Sequence, residues 1–166
     1  MTTTACSLTT RTLAAIGLAS ASLFAAAQSP PPYGLSINLE QAQKAMVAAE
    51  AEARKNNWQV VIAIVDTGGH LVMLHRLEAQ NASVDISIGK ARTAVNFRRP
   101  TKALEDSMAA GGSTLRILAV RDATPLQGGL PIIVDGKIVG GIGVSGVQAP
   151  QDEVVAKAGA DLLAAK

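Results

Sequence analysis

The sequence predicts one α/β (α+β) domain in which an antiparallel sheet lies between helices, a three-layer α/β/α arrangement. Three observations carry this. Val60-Val61-Ile62-Ala63-Ile64-Val65 is apolar at every position, so neither face of that strand is meant for water, and helices must cover the sheet above and below. The links Asp66-Thr67-Gly68-Gly69 and Asp135-Gly136 are too short for anything but hairpins, which makes the neighbouring strands antiparallel. Helical periodicity flanks the strands at both ends of the chain.

The first elements form a removable leader. Met1–Ala27 carries one charge, Arg11, then a run from Leu13 to Ala26 interrupted only by Gly17, Ser20 and Ser22, and closes on Ala25-Ala26-Ala27. A short apolar region before a small-residue cleavage site reads as a signal peptide, and the run is too short to span a bilayer. Residues 28–37, proline-rich at the start, read as a flexible leader, and 38–166 as the folded domain. The expected location is periplasmic or secreted, with no membrane span after processing. Cys6, the single cysteine, falls in the removed segment, so no disulfide or cysteine metal cage is expected. The formal net charge is +2, too balanced to draw in nucleic acid by counterion release. With aromatic residues at 2%, a flat ligand is expected to be held by aliphatic and methionine side chains.

Asn38 with Gln41 three residues on is a capping signature. Leu39, Ala42, Met46, Ala49 and Ala53 then repeat at helical spacing as far as Asn56-Asn57. The strand at 60–65 pairs with a second from His70 to Arg76 across the glycine turn. A helix is expected from about Ala82 to Phe97, with Ile88, Ala91 and Val95 on its apolar stripe, Lys90 and Arg92 pointing elsewhere, and Pro100 ending it. A short helix follows from Thr101 to Ala109, stopped by Gly111-Gly112. Ser113–Gly129 is ambiguous. Leu130–Val134 and Lys137–Val139 form the clearest hairpin, since Asp135-Gly136 suits a type I′ turn. A last helix runs from about Pro150 to Leu163.

Gly141-x-Gly143-x-x-Gly146 matches a dinucleotide fingerprint. The context does not: its strand follows an antiparallel hairpin, and too little chain remains for the parallel strand that fold needs. Close backbone approach is the plainer role for these glycines. The amides of Ser145 and Gly146 and of the next helical turn are candidates to hold a carboxylate. Asp152 and Glu153 read as acids complementing the helix dipole.

His70 and His75 are the candidate metal ligands. Their odd spacing puts the rings on opposite faces of a regular strand, so a shared metal is not expected. His75 is expected to share a face with Leu71 and Met73, an apolar surround suited to a single imidazole on a haem iron. His70, beside two glycines, is the alternative, and either ring has a purely structural reading. Arg76, Lys90, Arg92, Arg98 and Arg99 form a positive set. A solvated face explains such charges, and so does pairing of Arg76 and Lys90 with the carboxylates of an acidic ligand. No nucleophile motif or acid–base pair is evident, so catalytic residues stay unassigned.

Taken together, Val61-Ile62-Ala63-Ile64-Val65-Asp66-x-Gly68-Gly69-His70-Leu71-Val72, Arg76, Lys90-Ala91-x-Thr93-Ala94 with Phe97 and Pro100-Thr101, Gly128-Gly129-x-Pro131-Ile132, Asp135-Gly136-x-Ile138-Val139-Gly140 and Gly143-Val144-Ser145-Gly146 with Gln151-Asp152-Glu153 resemble the GlcG/HbpS family, which includes the C-terminal domain of PduO-type proteins. The resemblance implies a profilin-like fold with an antiparallel sheet of about five strands. It also implies binding of haem or a related tetrapyrrole, often in exported members, and homo-oligomers, octamers in some cases. Members are linked to haem-dependent signalling, haem breakdown, glycolate use and corrinoid metabolism, so activity does not follow from fold. One departure stands out: where the family commonly shows Arg-Met-Asp-Gly-Ala, this chain has Arg76-Leu77-Glu78-Ala79-Gln80, and loss of the glycine at Ala79 restricts a turn that needs positive φ. The leading expectation is an exported haem-binding protein, with His75 (or His70) on the iron and Arg76 and Lys90 toward the propionates. Its rivals are a haem-degrading or other small-molecule enzyme, and an oligomeric interaction module that reports to a membrane sensor without haem.

Overall fold

Helix α1 (Leu39–Lys55) opens with the reciprocal cap read from the sequence: the Gln41 amide donates to the Asn38 side chain and the Asn38 amide to that of Gln41. The chain then forms β1 (Val61–Asp66), β2 (Leu71–Arg76), α2 (Ala82–Asn96), α3 (Thr101–Ala109), a 3-10 helix (Gly112–Ala119), β3 (Gly129–Val134), β4 (Lys137–Ser145) and α4 (Ala149–Ala164). These come from a computed structural model that describes residues 1–2 and 29–164. The predicted signal peptide and Cys6 lie almost wholly outside the described residues. Among the described residues, no helix is long and apolar enough to cross a membrane.

The sheet is wholly antiparallel in the order β2-β1-β4-β3. The expected α+β class and three layers are present, with four strands rather than about five; an isolated parallel bridge also joins Tyr33 to Ile138. Residues read as a flexible leader are docked from Pro32 onward. The Ile138 amide donates to the Pro32 carbonyl at 2.8 Å, the Gly34 amide to Ile138 at 2.8 Å, and the Ile37 amide to Val139 at 2.7 Å. The Tyr33 hydroxyl donates to the Val95 carbonyl at 2.9 Å.

Strand alternation divides the core. Ile62, Ile64, Ile142 and Val144 face α1 and α4, joining Met46, Ala49, Val155 and Ala160 in the main cluster. Val65 meets Ala91 and Val95 of α2 on the other side. There the suspected fingerprint glycines serve packing. A Cβ on Gly141 would stand 2.6 Å from Val95 and 2.8 Å from the Ala91 carbonyl, and one on Gly143 would collide with the Ser87 carbonyl. Their absence lets α2 lie directly on β4. Asp135 and Gly136 both take positive φ (49° and 73°), as the type I′ reading requires. The first part of the ambiguous stretch lies in the 3-10 helix, which buries none of its residues, and the remainder up to β3 is turn and irregular chain.

Candidate functional site

Two ends of the sheet concern function: the β2 end, where His75 and Arg76 sit, and the β4–α4 junction, where Lys90, Ser145 and Gly146 meet. At the junction the expectation of ligand-facing groups is overturned. Lys90 does not point outward. Its side chain is 3% exposed, and Nζ donates to Asp152 at 2.9 Å and to the Val144 carbonyl at 2.8 Å. The carboxylate expected at the Ser145–Gly146 amides is the chain's own: Asp152 accepts from the backbone of Val147 at 3.2 Å and of Gly146. Burial pushes the Asp152 carboxyl above its ordinary value, against the pull of Lys90 and these amides. The Ser145 hydroxyl donates to Ser83 at 3.3 Å in the interior. These groups therefore bolt α2 to the start of α4 and leave no free charge for a ligand.

The remaining cations do not form one patch. Arg92 donates to the Gly69 carbonyl at 2.9 Å, Arg99 to that of Phe97 at 3.1 Å, and the Arg98 guanidinium stands 5.9 Å from the Tyr33 ring centroid.

The two histidines lie apart, one in the turn before β2 and one near its end. His70 lies at the turn before β2 with its side chain 82% exposed, beside Asp66. Although desolvation works the other way, the amides of His70 and Gly68 together with the His70 ring hold the Asp66 carboxyl below its usual value. His75 pairs with Ile62 and faces α1, where its Nδ1 contacts Glu50. Its expected companions change, because a bulge sets Leu71 opposite Val65, and Val72 and Met73 are the β2 residues packed on the main cluster.

Glu50 is the residue the sequence reading missed. It lies on the polar flank of α1, next to buried Ala49, and nothing local marks it; it meets His75 only because α1 crosses β2. One carboxylate oxygen takes the imidazole and the other lies 3.7 Å from Arg54. A carboxylate only accepts, so the imidazole proton on Nδ1 points at Glu50, and of the two neutral tautomers this contact selects the one with its lone pair on Nε2. Nε2 has no hydrogen-bond partner among the described residues, and the side chain is 48% exposed.

Arg54 leads into a cleft of about 570 Å³ formed by Arg54, Asn57, Trp58, Gln59, Arg76, Leu77 and Glu78. This is the opening beside the second strand, yet its lining is mixed rather than aliphatic, with five polar or charged residues around Trp58 and Leu77. Arg76 is fixed by donating from Nε to the Ala79 carbonyl at 2.8 Å and from Nη2 to Asn81 at 2.7 Å. The turn after β2 does use a left-handed residue, but it is Glu78 (φ 55°) and not Ala79, so the missing glycine imposes no strain at 79.

Comparison with known proteins fits this architecture. A family model described as haem degrading protein HbpS-like matches residues 37–161. Protein GlcG of Escherichia coli K12 is 44% identical over 66% of this chain and 81% of its own length. The crystal structure of a double mutant of Streptomyces reticuli HbpS is 34% identical, covers 87% of this chain and 98% of that one, and superposes with a TM-score of 0.71. A crystal structure of a PduOC–haem complex is 26% identical, covers 76% and 94%, and gives a TM-score of 0.70. The match across nearly the whole folded domain, with the GlcG identity beside it, makes this chain a member of the HbpS-like (GlcG/HbpS) family.

Proposed function

We propose that the chain is an exported haem-binding protein, acting in haem carriage, scavenging or sensing, with His75 as the iron ligand. The observation that carries this reading is the His75 ring: Glu50 takes its Nδ1 proton, the side chain is half exposed with no partner for Nε2 among the described residues, and the next residue, Arg76, lines a cleft with Arg54 and Trp58. The residues fit the group. An imidazole held by a carboxylate through its second nitrogen is the usual protein ligand to iron, Arg54 and Arg76 suit carboxylates, and Trp58 and Leu77 offer flat apolar contact. Bound haem would supply a redox-active, light-absorbing iron centre. The cleft volume is in the range of small-molecule sites. A relative solved with haem, and a family described by its action on haem, support the ligand class. His70 is the poorer ligand, because it lies at the opposite end of β2 from the cleft.

Export rests on the n-region, apolar run and Ala25-Ala26-Ala27 at the N-terminus. Homo-oligomer formation is supported by exposed Leu115, Leu118 and Val120, on and just after a helix that buries nothing. The family description also favours a second reading, haem breakdown. One titration addresses both. Hemin added to the mature protein gives a Soret band that shifts for wild type and His70→Ala and loses its imidazole character in His75→Ala. Variants that both behave as wild type would remove the histidine assignment. Bleaching of that band with iron release after adding reductant would favour breakdown over carriage.

A further inference from the structure

We propose that Glu50 is a positioning residue for the His75 ligand: it fixes which ring nitrogen meets the iron and, through its charge, biases the bound iron toward the ferric state. This deepens the haem-binding reading and rests on it. Glu50 and His75 are 25 residues apart and on different elements, yet one Glu50 oxygen takes the Nδ1 proton while the other faces Arg54. The carboxylate is thus oriented from both sides. Its side chain is 20% exposed, shielded enough for its charge to act on the ring without full screening by water. A carboxylate on the distal nitrogen of a metal-bound imidazole fixes the tautomer and raises the basicity of the ligating nitrogen. A more basic donor favours the higher charge on iron. Arg54 shares the carboxylate and tempers this effect without removing it, because it lies at 3.7 Å, the looser of the two contacts.

Glu50→Gln separates charge from orientation, since the amide oxygen still accepts the Nδ1 proton; Glu50→Ala removes both. In the apoprotein, nitrogen NMR of the His75 ring should show the Nδ1–H form in wild type and Glu50→Gln and a mixture in Glu50→Ala. Loss of a carboxylate of this kind weakens metal affinity by about 10–100-fold. With hemin bound, Glu50→Gln should bind ferric haem about tenfold more weakly while ferrous affinity holds, which raises the midpoint potential by about 59 mV for one electron. The Soret band should keep its imidazole character. A wild-type potential in Glu50→Gln, with haem still on His75, would overturn the role of Glu50 alone, as would an Nε2–H ring in the wild-type apoprotein. Absence of hemin binding by wild type, or a His75→Ala spectrum equal to wild type, would instead take down the parent reading and this one with it.

Discussion

Lys90–Asp152 and His75–Glu50 each join elements far apart in sequence, and each pairs a basic side chain with a carboxylate, yet they do opposite work. The first pair is 3% exposed on both sides and finds further partners in the backbone of Val144, Gly146 and Val147. The second lies at the edge strand with one imidazole nitrogen unspent. Burial with complete hydrogen bonding turns a charge into a fastener. Partial exposure, with one ring nitrogen unpartnered among the described residues, leaves His75 the accessible member that the haem proposal requires. Charge type alone, which is what the sequence displays, does not separate the two.

The largest test of this contrast is Asp152→Ala. It leaves the Lys90 ammonium buried without its counter-charge, a change that costs about 3–5 kcal/mol, and urea unfolding should show a loss of that size. Adding Lys90→Met should recover part of it, because the penalty comes from the unpaired charge. The folded fraction of the single variant should bind hemin as wild type does. A hemin defect greater than the loss of folded protein would break the comparison and return Lys90 to the ligand site.

Next in size is Gly143→Ala on the α2 face. The new methyl would meet the Ser87 carbonyl and the Ala91 amide, backbone atoms of a helix that cannot yield separately, so overpacking of about 1–3 kcal/mol is expected in the same unfolding experiment. Gly136→Ala faces open space and separates collision from backbone strain, since its φ is positive. A Gly143→Ala variant as stable as wild type would mean that α2 does not lie directly on β4.

What the sequence displayed and what it hid follow the same division. Elements with a periodic apolar face were legible to within a residue or two: Asn38 and Gln41 announced α1, Pro100 and Gly111 bounded α3, and Asp135-Gly136 gave the hairpin. The 3-10 helix was not legible, because it buries none of its residues and so carries no core-facing pattern. Docking of Pro32–Ile37 runs largely through backbone groups of Ile138 and Val139, and these leave little pattern in side-chain types. His70 stands apart from His75 because it lies in the turn before β2, and the bulge that moves Leu71 away from His75 is a register event between strands. Burial of Lys90 and approach of Glu50 are tertiary facts, fixed by where α2 and α1 cross the sheet.

The smallest expected effect sharpens the picture of the open end. The cleft side of the β2–α2 turn holds a left-handed non-glycine residue, Glu78 at φ 55°, whereas Ala79 is buried at negative φ and its carbonyl holds the Arg76 guanidinium. A Cβ in the left-handed region costs about 1–2 kcal/mol, and glycine in its place loses about 0.4–1 kcal/mol to the greater freedom of the unfolded chain. Glu78→Gly should therefore stabilise the protein by roughly 0.5 kcal/mol, read as a small rise in the urea midpoint with an unchanged slope. Ala79→Gly, which puts glycine where the family resemblance implies one, should instead destabilise, because it removes a buried methyl and relieves nothing. If the two variants ranked the other way, the left-handed residue would belong at 79, Arg76 would lose its anchor on that carbonyl, and the cleft would need a different cation to face a carboxylate.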